Sequence, residues 1–198
     1  MVEHYFSETQ SSEFKIEQIE AVLRGGKISL KTGSGVFSIK RVDKGSELLA
    51  NSAIIKERWR VLDLGCGYGA VGIAVKKAEP STEVVFTDIN RRAVFLTKEN
   101  LKLNKIEGDV VQGDCFEKIK GKFDTILLNP PQTAGKKLCF RMIEESKIYL
   151  KKGGMLQIVA RHKKGGASLS KEMQEVFNNF EVLAKKSGYR IYISKNDG

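Results

Sequence analysis

From about residue 60 onward, short apolar runs alternate with stretches of helical spacing. Residues 60–67 (RVLDLGCG) are apolar and ended by glycines, as a buried parallel strand would be. A helix follows over 70–77, then a strand over 83–88 (EVVFTD). Asn90 caps a helix reaching Leu103, with Val94 and Leu101 on its apolar stripe. Residues 109–114 (DVVQGD) form a third strand. Residues 123–131 (FDTILLNPP) form a fourth, stopped by two prolines that can neither donate to a ladder nor continue it. Leu138, Met142, Ser146 and Tyr149 then recur at helical spacing. Residues 155–160 (MLQIVA) are a fifth strand, and Leu169, Met173 and Val176 mark the next helix.

The rhythm changes at the end. Residues 180–184 and 189–194 are two strands joined by KKSG, with no room for a helix between them, and so a hairpin. This order implies an α/β fold: a mostly parallel sheet with helices on both faces and one antiparallel strand near an edge. Before residue 60 the pattern is looser. Ser12 reads as the cap of a helix with Ile16, Ile19 and Leu23 facing inward, ended by Gly25-Gly26; KISLKT and GVFSI read as short strands. Residues 1–54 are expected to be an extension on a core formed by 55–198.

Composition narrows the class. The chain has 198 residues, enough for one sizeable core, and no apolar run nears the length that spans a bilayer. Its start lacks a basic, then apolar, secretory leader, so a cytoplasmic location is expected. Cys66, Cys115 and Cys139 lie too far apart for a CxxC site and read as reduced thiols; no metal is expected. The net charge is +10 and unevenly spread, the last 78 residues carrying 15 basic against 7 acidic side chains. The excess falls in three polar segments beside strands: Lys136 and Lys137; Arg161, Lys163 and Lys164; Lys185, Lys186 and Arg190. If these converge in space, they suit a polyanion.

The segment from Asp63 to Gly72 joins a strand to a helix, where glycines let backbone approach a ligand and the helix N-terminus attracts negative charge. Gly67-x-Gly69-x-x-Gly72 fits the dinucleotide pattern, with Asp88 placed 19 residues after Gly69 as a ribose-binding acid. That leaves a nicotinamide dehydrogenase open. Two features point elsewhere: the loop also reads Asp63-x-Gly65-x-Gly67-x-Gly69, and Asn129-Pro130-Pro131-Gln132 ends the fourth strand.

On these residues the chain resembles the class I S-adenosylmethionine-dependent methyltransferases over about residues 55–195. The resemblance implies a seven-stranded sheet in the order 3-2-1-4-5-7-6 with strand 7 antiparallel. It also implies that the glycine loop with Cys66 and Asp63 lies against the methionine part of S-adenosylmethionine. Asp88, with Ile89 beside it, would accept from the ribose hydroxyls. Asp114 would accept from the adenine amino group, with Cys115 and Phe116 beside the ring. Asn129 and the Pro130 carbonyl, aimed by the rigid Pro130-Pro131 backbone, would accept from the two N–H groups of a target amine and favour the pyramidal form whose lone pair is free. Many amino-methylating relatives carry an aromatic ring after the two prolines, where this chain has Gln132; that ring stacks on the base for about 1–3 kcal/mol.

A second resemblance lies upstream. Ser34-Gly35-Val36-Phe37-Ser38, Asp43-Lys44-Gly45-Ser46 and Leu48-Leu49 are similar to a segment of the small-domain ribosomal RNA guanine-N2 methyltransferases, including short archaeal single-domain relatives. The implied substrate is an exocyclic amine of an RNA base, guanine N2 in ribosomal RNA, with Phe37 near the base and the eight basic residues on phosphates. A protein amide or a small-molecule amine is the alternative.

Overall fold

The computed structural model describes residues 6–10 and 13–198. Strands β3 (Arg60–Leu64), β4 (Glu83–Asp88), β5 (Asp109–Gln112), β6 (Phe123–Leu128), β7 (Leu150–Arg161), β8 (Glu181–Lys186) and β9 (Tyr189–Lys195) form one sheet in the order β5-β4-β3-β6-β7-β9-β8. In this sheet β9 runs against the common direction of the other six described strands. Alternation along β3 explains the two-sided core. Val61 belongs to the layer under α2 (Ala70–Ala78), while Leu62 and Leu64 belong to the layer under α4 (Lys136–Tyr149) and α5 (Gly166–Phe177). Asn90 caps α3 (Arg91–Leu103) by accepting from the N–H groups of Arg92 and Ala93, as its position predicts. Among the described residues, no helix is long and apolar enough to cross a membrane.

The N-terminal part differs from expectation. Residues read as a helix form β1 (Ile16–Leu23), paired antiparallel with β2 (Gly26–Gly33) in a separate hairpin. Ile19 and Ala21 are half-buried and Leu23 is buried, at a spacing of two with exposed residues between, a pattern that the helical reading of Ile16, Ile19 and Leu23 overlooked. Arg24 (φ 48°) and Gly25 (φ 77°) supply the two positive φ angles of a tight two-residue turn, so the glycines close a hairpin where a helix end was expected. Ser12, the expected helix cap, lies outside the described residues. The strand expected at GVFSI is irregular chain, and a helix not foreseen, α1 (Lys44–Ser52), follows it.

The hairpin is tied to the core through its outer edge. Asn100 of α3 accepts from Lys31 N at 2.6 Å and donates to Lys31 O at 2.9 Å, and Asn104 donates to Ser29 O. These side chains satisfy backbone groups that an edge strand otherwise leaves open. α1 packs Leu48 and Leu49 into the layer that holds α2, which brings its N-terminus to the carboxyl edge of the sheet.

Candidate active site

Parallel strands deliver their C-terminal ends to one edge, and here that edge holds a cleft of about 320 Å³. The loop after β3 forms its floor. Gly65 and Cys66 donate from their N–H groups to Thr87 O at 2.8 and 3.0 Å, binding the loop to the end of β4. Gly65, Gly67 and Gly69 have φ of 67°, 57° and 85°, a left-handed run open to glycine at little cost. Gly67 N donates to Asp88 Oδ2 at 2.8 Å, and Asn90 N to Asp88 Oδ1 at 2.9 Å. Asp63 is 4% exposed and accepts from Gly72 N at 2.8 Å.

These two carboxyls are electrostatically unusual. Burial pushes Asp63 up to about 7, partly offset by the Gly72 N–H and reinforced by the nearby charge of Asp88. Asp88 is pushed up to about 6, again by burial, against three backbone N–H groups that favour its charged form. Burial also raises the Cys66 thiol, with Asp88 adding to the effect. The floor is therefore short of positive charge, and a cation docked there would favour ionisation of both acids.

The next wall comes from β5 and α4. Asp114 and Cys115 line the cleft, and Arg141 donates from Nη2 to Asp114 Oδ1 at 2.5 Å and to Cys115 Sγ at 3.0 Å. The sequence reading did not single out Arg141. Its signal was a charge three residues after Leu138 on the inward face of α4. Burial pushes Cys115 up to about 12 despite that guanidinium. Phe116, expected beside the ligand ring, instead lies 2% exposed beneath the wall, stacked on Tyr149 with centroids 4.5 Å apart. Its direction is set by the strand-end turn, in which Cys115 takes φ 50°.

Asn129, Pro130 and Pro131 leave β6, the neighbour of β3, and line the same cleft. Asn129 Nδ2 lies 3.0 Å from Ser46 Oγ and 3.4 Å from each carboxylate oxygen of Asp43, both from the N-terminus of α1. Gln132 turns away from the cleft and donates from Nε2 to Lys164 O at 2.9 Å, joining the loops after β6 and β7. Ile89 lines the cleft, and Phe37, 39% exposed, stands at its mouth with Phe6. Gly69, Gln132 and the eight basic residues do not line the cleft itself.

Those basic residues share its edge nonetheless. Strand register sets Arg161 opposite Tyr189 and Tyr189 opposite Lys186, with Arg190 between Ala160 and Lys185. Lys163 and Lys164 follow β7 in a 3-10 turn, and Lys136 and Lys137 open α4. Several of the cations are engaged: Arg161 sits over the Tyr189 ring at 5.3 Å, Lys186 pairs with Glu47 at 3.3 Å, and Arg190 interacts with the Tyr192 hydroxyl. Among the described residues, no three His, Cys, Asp or Glu side chains gather as metal ligands.

Comparison with known proteins agrees with this architecture. Residues 27–193 match the model of the methyltransferase small domain family. The uncharacterized protein YbxB of Bacillus subtilis is 37% identical over 98% of this chain and 99% of its own length. Ribosomal RNA small subunit methyltransferase C of Haemophilus influenzae is 37% identical over 82% of this chain but only 49% of its own length, so the chain spans about half of such relatives. Among solved structures, a T. thermophilus 16S rRNA N2 methyltransferase in complex with AdoMet and guanosine superposes with a TM-score of 0.80 at 23% identity, covering 91% of this chain and 50% of that one. That likeness is one of fold.

Proposed function

The chain belongs to the methyltransferase small domain family, and from that premise we propose that it moves a methyl group from S-adenosylmethionine to guanine N2 in ribosomal RNA, in the cytoplasm. S-adenosylmethionine supplies, when bound, a methyl carbon made electrophilic by its cationic sulfonium. The residues of the cleft suit that molecule. Asp88 retains acceptor capacity on both oxygens beside a glycine loop with room for a ligand, and Asp63 and Asp88 would both become more acidic next to a cation. Asp114 stands where an adenine amino group would find an acceptor.

The observation that carries the reading is Asn129, which lines the same cleft as Asp63 and Asp88 at the end of β6 with its amide nitrogen already engaged. Its Oδ1 is left to accept from one N–H of the target amine. The Pro130 carbonyl, which takes the Gln132 N–H at 2.8 Å, has a second lone pair for the other. Two such acceptors draw the amine out of conjugation with its ring and free the lone pair. No strong base is needed, because a neutral thioether departs and in-line positioning supplies most of the acceleration.

The family relatives named for ribosomal RNA favour RNA as substrate, and the cationic edge suits its phosphates. Phe37 at the mouth offers a stacking face where Gln132 offers none. The target base must be unstacked to reach the corner, at a few kcal/mol, which favours loops or incompletely folded RNA. In this reading residues 55–198 are the catalytic core and residues 1–54 the extension that completes it.

The decisive experiment offers the purified protein labelled S-adenosylmethionine with small-subunit ribosomal RNA from cells lacking the enzyme, followed by nucleoside mass spectrometry. The expected product is N2-methylguanosine. Label entering protein amides instead of RNA would replace this reading with the protein alternative.

A further inference from the structure

We infer that Asp43 fixes which end of the Asn129 amide faces the cleft, and so makes the reaction corner one that accepts hydrogen bonds and does not donate them. The inference rests on the role proposed for Asn129 and deepens it. An asparagine side chain carries an acceptor and a two-proton donor of nearly the same shape, so packing alone cannot choose between orientations half a turn apart. Its neighbours can. Asn129 Nδ2 has Ser46 Oγ at 3.0 Å and both Asp43 oxygens at 3.4 Å. A carboxylate offers acceptors alone. Turning the amide over would set Oδ1 against two oxygens of like partial charge at a part-buried corner, an unfavourable contact.

Asp43 cannot swing aside to relieve that contact. It is the N-cap of α1, with its Oδ1 accepting from Gly45 N at 2.8 Å and Ser46 N at 3.2 Å. The first turn of α1 is itself wedged in place, since a Cβ built on Gly45 would lie 3.0 Å from the Tyr189 ring. Among the described residues nothing donates to Asn129 Oδ1, which leaves it for the substrate. The corner therefore favours an atom with hydrogens to give, an exocyclic amine, and disfavours a carbonyl oxygen or a ring nitrogen that can only accept. On this account Asp43 is a positioning residue that acts through Asn129.

The test uses Asp43→Asn. Asparagine caps helices about as well as aspartate, so α1 should persist. Its own oxygen must serve the cap, which turns its nitrogen toward Asn129 and favours the reversed amide. In 15N-labelled free protein, the Asn129 side-chain NH2 signals, assigned by their loss in Asn129→Asp, should shift between wild type and Asp43→Asn. In methyl transfer to ribosomal RNA, kcat should fall by on the order of 100-fold while the KM for RNA and the affinity for S-adenosylmethionine stay within about threefold. Combining Asp43→Asn with Asn129→Asp should recover at least about tenfold of that loss, because the new amide at 43 donates to the new carboxylate at 129 and an acceptor again faces the cleft.

Unmoved NH2 signals, wild-type kcat in Asp43→Asn, or a double variant no better than the single would each overturn the inference. If Asp43→Asn melts early, Asp43→Ser keeps a capping oxygen but removes the acceptor pair facing Asn129, and should still shift the NH2 signals and lower kcat; no change in either overturns the inference too. Wild-type protein that transfers nothing to RNA while the NH2 signals move as expected would sink the functional reading and leave the amide orientation standing.

Discussion

Arg141 and Asp114, from α4 and the end of β5, meet at 2.5 Å across one end of the cleft, and the same guanidinium touches Cys115. Both side chains are more than two-fifths exposed, so the pair adds little to stability, within the 0–1 kcal/mol typical of surface pairs. Its effect is to hold the Asp114 carboxylate in one place. Arg141→Leu should leave the melting temperature within a few degrees while weakening S-adenosylmethionine binding by about fivefold, near 1 kcal/mol. Calorimetric titration checks this, and unchanged affinity would remove Arg141 from the binding account.

Asp63 and Asp88 make binding depend on pH. Their carboxyls rise to about 7 and about 6 in the folded protein because burial disfavours the charged forms. Folded pKa values above the unfolded ones mean that the free protein has this contribution in full below about pH 4 and loses it as pH rises toward 7. A cation in the cleft reverses the preference by drawing both groups to the charged form. Affinity for S-adenosylmethionine should therefore climb between pH 5 and 8 with proton release, and Asp88→Asn should flatten the rise as well as weaken binding. Titrations in buffers of differing ionisation enthalpy would expose an absence of proton release.

Asn129→Ala should separate transfer from binding. Removing one preorganised acceptor from a reacting centre costs on the order of 10²–10³ in kcat. S-adenosylmethionine affinity should stay within about threefold. Equal losses in both would show that Asn129 shapes the cofactor cleft and does not act on the amine.

Gly72 reports on how tightly the floor is built. A Cβ there would lie 2.3 Å from Phe86 Cε1 and 3.0 Å from Asp63 Oδ2, inside a fully packed layer. Gly72→Ala should cost about 1–3 kcal/mol as an overpacking change. For a chain of this length that lowers the melting midpoint by roughly 2–12 °C, readable by thermal denaturation. A midpoint at or above wild type would mean that α2 can retreat without harm.

The cationic edge predicts a salt signature. RNA affinity should fall as salt rises, and replacing Lys163 and Lys164 with Ala should reduce the log–log slope by between 1 and 2 while weakening all RNA sequences alike. A slope that does not change would place the RNA elsewhere on the surface.

Legibility in the sequence followed the strength of the periodic signal. β4 and α3 could be read closely because EVVFTD ends in an acid, Asn90 caps, and Val94 and Leu101 mark an apolar stripe of one period. β1 was misread because Ile16, Ile19 and Leu23 satisfy a helical spacing while Ala21, too small to register as apolar, completes the alternation. α1 went unseen because nine residues with a polar first turn carry little periodicity. In the site, parallel strand ends brought Asp63, Asp88, Asp114 and Asn129 to one cleft as their positions after strands implied. The Phe116 direction and the Arg141 pairing depend on a turn at Cys115 and a helix rotation that no spacing records.

The tie from Gln132 to the Lys164 carbonyl has an effect on access. It stitches the loop after β6 to the loop after β7 beside Pro131, so that parting them costs a hydrogen bond, about 1 kcal/mol. A tie of that size biases the two loops toward one spacing, and a flat heterocycle entering edgewise asks less of them than a bulky, branched side chain. Cutting that stitch would loosen selectivity before it touched speed.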